Sequence, residues 1–190
     1  MAPDVRADPR ASMPAPLPGE WLVIIDPQAI FASPDVSPWG SPLWAATVPA
    51  IVELAAAFGP RRTVVTRYVA DAGAGGSWDA YYQQWPFALV PDGDPLYAVV
   101  PELADASRHT VTSPTFGKWN ADLRAIVGDQ PRLALAGVST DCCVIATALP
   151  AADAGASIRV VRAACAGSTR ENHERAVAAM ALFGPQLTIV

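Results

Sequence analysis

The sequence predicts an α/β fold, a three-layer sandwich with a mostly parallel central sheet and helices on both faces. Three observations lead there. Short apolar runs rich in β-branched residues recur along the 190 residues, most of them are followed by a break and a helical pattern, and no internal repeat is visible. Hydrophobic residues make up 52% of the chain and charged residues 16%, which suits one sizeable core and excludes a disordered chain. Strands buried on both faces and joined through helices imply parallel pairing by right-handed crossovers.

Met1 to Glu20 is rich in Pro, Ala and Asp and lacks the apolar stretch of a signal peptide. It reads as a disordered leader over 1–20, with the domain over 21–190. Trp21 to Ile25 is a central buried strand that breaks at Asp26-Pro27-Gln28. Asp26 thus stands at a strand's carboxyl end, where on its own it reads as a capping or turn aspartate. Ile30 to Trp44 has no clear period and reads as an irregular connection. Thr47 to Phe58 is a helix capped by Thr47, with Pro49 in its first turn and Gly59-Pro60 as its stop.

Thr63 to Arg67 is the second strand. Residues 70–97 carry Gly73, Gly75, Gly76, Trp78, Tyr81, Tyr82, Trp85 and Tyr97 and read as a long loop whose rings either line a pocket or pack against another subunit. His109 to Thr112 is a weak third strand, followed by the loop Ser113 to Trp119 and a short helix from Asp122 to Val127. Leu133 to Ala136 is a fourth strand, broken by Gly137. Ser139-Thr140-Asp141 then supply N-cap chemistry for a helix that runs toward Gly155 and that Pro150 kinks or shortens. Ser157 to Val161 is a fifth strand, Ser168 or Thr169 caps a last helix to about Phe183, and Gln186 to Val190 is a final strand.

Composition narrows the function. The net charge of −5 and the absence of a basic cluster argue against nucleic acid as a partner. No glycine-rich phosphate fingerprint follows the first strand, so a dinucleotide site has little support. No run reaches the ~18–20 apolar residues of a membrane span. Three cysteines, two of them adjacent, are no secreted disulfide framework. The expected compartment is the cytoplasm.

Cys142 and Cys143 fall in the first turn of a helix that begins at the carboxyl end of a strand, where α/β sheets place ligands. Backbone N–H groups there favour a thiolate and can hold an oxyanion. Alone, such a thiol reads equally as a small buried hydrophobe. Twelve of the thirteen basic residues are arginine and one is lysine, Lys118. Asp26, Lys118 and Cys143 each follow a different strand on the same edge of the sheet. A thiol nucleophile needs a group to take its proton and a cation to steady its charge, and an aspartate and a lysine supply these.

The pattern Ile-Ile-Asp26-Pro-Gln28, with Gly137-Val-Ser-Thr-Asp-Cys-Cys143-Val and Asp153-Ala-Gly155, resembles the isochorismatase-like cysteine hydrolases. The resemblance covers nearly the whole chain from Trp21. It implies an Asp26–Lys118–Cys143 triad acting on amide-type carbonyls of a small molecule, with Cys142 as a packing residue. It further implies a cis Val138–Ser139 peptide, an oxyanion hole formed by the backbone N–H groups of Ser139 and Cys143, and a homo-oligomer. In many members the lysine follows the third strand directly, where this chain has Ser113; either Lys118 reaches the same point from a shifted loop, which is the expectation, or the triad is incomplete. Metal-binding relatives place acids and histidines after the second strand, whereas this chain has Arg67-Tyr68-Val69 there and only His109 and His173 elsewhere. No metal and no cofactor are expected. Phe31, Arg67, Trp78, Tyr81 and Trp119 are candidate pocket residues for a small, partly apolar, anionic amide. The alternatives are vinyl ether hydrolysis of the isochorismatase type, which needs an acid but no thiol, and a non-catalytic binding member. A redox or metal thiol site is weakened because adjacent cysteines lack C-x-x-C spacing.

Overall fold

A computed structural model describes residues 13–190. The leader expected over 1–20 lies outside the described residues as far as residue 12. Of residues 13–20, Met13 packs on the core, buried Glu20 takes a forked pair from Arg159 Nε and Nη2 at 2.7 and 2.5 Å, and residues 15–19 are exposed.

Six parallel strands form one sheet in the order β3-β2-β1-β4-β5-β6. They are β1 (Trp21–Ile25), β2 (Thr63–Tyr68), β3 (His109–Ser113), β4 (Arg132–Val138), β5 (Ser157–Ala166) and β6 (Leu187–Ile189). Helices α1 (Ala29–Ala32) and α2 (Trp44–Phe58) belong to one face of the sheet. Helices α4 (Ala121–Val127), α5 (Ile145–Asp153) and α6 (Arg170–Met180) cover the other, and α3 (Ser77–Gln84) lies in the long connection after β2.

The central strands are apolar throughout because both of their faces are covered. Leu22 and Ile24 of β1 enter the core under α2, while Val23 and Ile25 enter the core under α4 and α5. Ala134 and Ala136 of β4 share the first core, and Leu133 and Leu135 the second. The chain order reverses between β1 and β4, whose register runs from Trp21 opposite Leu133 to Ile25 opposite Gly137. The carboxyl ends of strands at such a reversal are where α/β sheets place ligands. Gly137 is required there: its φ is +113°, and a Cβ would stand 2.2 Å from the Ile25 carbonyl oxygen.

Several elements differ from the sequence reading. α2 begins at Trp44, and Thr47, expected as its cap, instead donates its hydroxyl to the Leu43 carbonyl at 3.0 Å within the helix. Pro49 therefore falls in the second turn, where it withholds an N–H from the Ala45 carbonyl. The stretch read as irregular after Ile30 opens with α1, and the expected 70–97 loop contains α3 and two 3₁₀ turns. β5 runs five residues beyond Val161 to Ala166, past a register shift against β4 between Leu135 and Gly137. Pro150 lies inside α5, which ends at Asp153, and Gly155 follows with a φ of +98°.

Candidate active site

A buried acid and a buried ammonium meet at the carboxyl end of β1. Asp26 follows β1 with a φ of +44°, a backbone state that aspartate tolerates better than most side chains. Its carboxylate is aimed by β2: Thr66 Oγ1 donates to Oδ1 at 2.6 Å and accepts the Asp26 N–H at 3.0 Å. Oδ2 has no hydrogen bond of regular geometry, and the Lys118 ammonium stands 3.2 Å from it. Both side chains are entirely withdrawn from solvent, at 0% exposure. Nζ also donates to the Thr115 carbonyl at 2.5 Å and lies 5.4 Å from the centre of the Tyr68 ring. Lys118 thus reaches the acid from the β3–α4 loop, while Ser113, at the end of β3, is buried and bonds the Thr115 hydroxyl.

Beyond β4 the Val138–Ser139 peptide is cis. The chain then makes a π-turn over Thr140–Val144 before α5 begins. Ser139 stands at the N-cap position of this turn but makes no side-chain cap bond, and other partners take the side chains of Thr140 and Asp141. Asp141 accepts the Ser168 N–H at 2.8 Å and the Ser168 hydroxyl at 2.5 Å, and Thr140 Oγ1 pairs with His173 Nδ1 at 2.9 Å. The turn is thereby fastened to the start of α6. Ser139 contributes its carbonyl, which accepts N–H groups from Cys142 and Val144 on either side of Cys143.

Cys143 is 4% exposed and Cys142 half-buried. The neighbouring thiol and burial push Cys143 well above the ordinary thiol range, and the same neighbour holds Cys142 below it. The Asp26 charge raises Cys143 further, against a downward pull from Lys118. The helix start favours a thiolate, whereas burial and the Asp26 charge act on Cys143 in the opposite direction. Cys142 packs against the core under α4 and α5.

The candidate pocket residues separate into two groups. Tyr81 on α3 faces Cys142 and Cys143; burial pushes its phenol up, and negative charge on either sulfur would push it further. Trp78 and Tyr81 pack on Phe116 of the lysine loop at 5.0 and 5.4 Å, and Trp39 meets Tyr81 at 5.7 Å. Phe31 is a core ring behind Trp39 and Tyr68. Trp119 packs half-buried on the core under α4 and α5 and contributes nothing to this aromatic group. The Arg67 guanidinium is held by Asp92 at 2.5 Å, so it offers no free cation for an anionic substrate. Sequence reasoning missed Trp39, Phe116, Thr66 and Gln28. Buried Gln28 ties the ends of β1 and β2 together, accepting the Tyr68 N–H at 2.7 Å and donating to the Tyr68 and Tyr97 carbonyls. Its place in the Asp26-Pro27-Gln28 break was the one signal available for it.

Among the described residues, no three His, Cys, Asp or Glu side chains cluster so as to hold a metal ion. No helix among them is long and apolar enough to cross a membrane. His173 is buried, and burial holds its imidazole below the usual histidine range, with smaller opposing pulls from Glu174 and Arg162. A depressed folded-state value means that its stabilising contribution is full above about 6.5 and is lost as pH falls below that toward the folded value. The melting temperature of the wild type is expected to fall more steeply than that of His173→Asn between about pH 7 and pH 5. Parallel slopes in thermal melts would contradict this.

A family model described as the Isochorismatase domain matches residues 20–189. No curated protein matches the sequence. Among solved structures, an isochorismatase family protein from Desulfovibrio vulgaris is 25% identical, with a TM-score of 0.75 over 90% of this chain and 93% of that one. A cysteine hydrolase from Pseudomonas syringae is 17% identical, with a TM-score of 0.76 over 96% and 94%. A nicotinamidase/pyrazinamidase from Bacillus subtilis is 23% identical, with a TM-score of 0.70 over 89% and 98%. The last two likenesses speak to fold alone.

Proposed function

This chain belongs to the isochorismatase family of hydrolases, and we propose that it is a cysteine hydrolase cleaving the C–N bond of a small amide through a thioester on Cys143. The observation that carries this reading is the Asp26–Lys118 pair, buried at the sheet edge with one carboxylate oxygen free of hydrogen bonds. Thr66 occupies Oδ1, so Oδ2 is the atom left to accept a proton.

Asp26 Oδ2 takes the Cys143 proton as the sulfur attacks the carbonyl carbon, and Lys118 offsets the negative charge that builds on sulfur. The backbone N–H groups of Ser139 and Cys143 hold the carbonyl oxygen as it becomes an oxyanion. When the C–N bond breaks, Asp26 returns the proton to the leaving amine. Water, deprotonated by Asp26, then attacks the thioester; the C–S bond breaks and the proton passes back to sulfur.

The aromatic surface of Trp39, Trp78, Tyr81 and Phe116, with Arg67 already paired, supports a flat, uncharged amide over the anionic one that the sequence suggested. A panel of small carboxamides scored by ammonia release tests the proposal. Uncharged, apolar members should be hydrolysed and their carboxylated analogues should not. Cleavage of vinyl ethers, with every amide left intact, would overturn it.

A further inference from the structure

Lys118 is fixed in place by α5, the helix that follows the thiol. Its backbone N–H donates to Thr147 Oγ1 at 2.9 Å, and the same hydroxyl donates to the Cys143 carbonyl at 2.7 Å. Thr147 is fully buried, so no water competes for these bonds. A hydroxyl has one proton, and giving it to Cys143 leaves its lone pairs for Lys118, so both roles are determined. One residue earlier in the loop, a Cβ on Gly117 would stand 2.6 Å from the Ala146 carbonyl oxygen. The loop therefore lies on α5 at a separation that only glycine allows, beside the hydroxyl that clamps it.

We infer that Thr147 is a positioning residue, whose hydroxyl joins the backbone of Lys118 to the backbone of Cys143 and so sets the distance between ammonium and sulfur. The inference rests on the reading of Asp26, Lys118 and Cys143 as the reacting set. A lysine at a strand end is held by the sheet, whereas one in a loop needs another anchor, and here α5 supplies it. Removing the hydroxyl leaves the Lys118 N–H buried without an acceptor. The loop then relaxes from α5 and carries the ammonium with it.

The test is alkylation of Cys143 by iodoacetamide as a function of pH, with Cys142→Ala as the parent so that one thiol of the pair reports. Asp26, Lys118 and Tyr81 are the other titratable groups around that sulfur. Since Lys118 pulls the thiol down, Thr147→Val should move the alkylation midpoint upward, and Thr147→Ser should return it to the parent value. In the otherwise wild-type enzyme, Thr147→Val should lower kcat about 10–100-fold with little change in KM, as misplacement of a reacting group does. Gly117→Ala, which forces the same loop off α5 by another route, should shift the midpoint in the same direction and serves if Thr147→Val fails to fold. A folded Thr147→Val or Gly117→Ala protein that titrates at the parent midpoint would overturn the inference, as would a folded Thr147→Ser protein that titrates with Thr147→Val. Either result leaves the thioester proposal standing if Cys143→Ala is inactive. Turnover surviving in Cys143→Ala would remove the proposal itself.

Discussion

Cys143→Ala is expected to lower amide turnover by about 10⁴–10⁶-fold, the scale at which loss of a nucleophile leaves only binding and oxyanion stabilisation. The protein should remain folded, because a small thiol in an apolar setting behaves as a modest hydrophobe. The Cys143 side chain belongs to the core under α4 and α5. Steady-state assays beside thermal melts separate the two effects: activity lost with the melting temperature nearly unchanged is the expected result. Cys142 is no substitute nucleophile in this scheme. The Asp26 carboxylate is oriented by Thr66, and the bonds made by Thr147 run to the backbone of Cys143.

The second large effect concerns stability. Lys118→Met leaves the fully buried Asp26 charge without its cation. Breaking a buried pair from one side costs about 3–5 kcal/mol, since the desolvated partner stays behind uncompensated. Asp26→Asn with Lys118→Met removes both charges, and most of that loss should be recovered, because a neutral pair carries no such penalty. Urea unfolding of the two variants checks this: the double variant should unfold at higher urea than Lys118→Met alone. Neither should hydrolyse amides. Equal midpoints would mean that Asp26 and Lys118 do not depend on each other.

These expectations rest on features that differ in how plainly the sequence carries them. β1 and β4 were legible because a central parallel strand is buried on both sides, so Leu22 to Ile25 and Leu133 to Ala136 read as unbroken apolar runs. Asp26 and Cys143 were legible for the same reason, each following such a run at the edge where ligands bind. α3 was not. Ser77 to Gln84 has no apolar stripe, and the two glycines before it look like loop; packing against Trp39 and Phe116, both distant in sequence, accompanies the helix. β5 was read too short because Arg162-Ala163-Ala164 carries no strand signature, although the sheet pairs the chain as far as Ala166. Lys118 stood out as a lone lysine, while its anchor did not: Thr147 sits in an apolar helix where nothing local distinguishes a clamp from a filler. Thr66 was likewise hidden inside an ordinary strand pattern. Pairwise contacts between elements far apart in the chain decided each of these, and periodicity does not report them.

The most direct measurement is mass spectrometry of the enzyme quenched with acid during turnover of an amide substrate. The account predicts an adduct of the acyl mass, with the amine already lost, on the peptide carrying Cys143, released by hydroxylamine and absent from Cys143→Ala. An adduct confined to Cys142, or undiminished hydrolysis by Cys143→Ala, would contradict it.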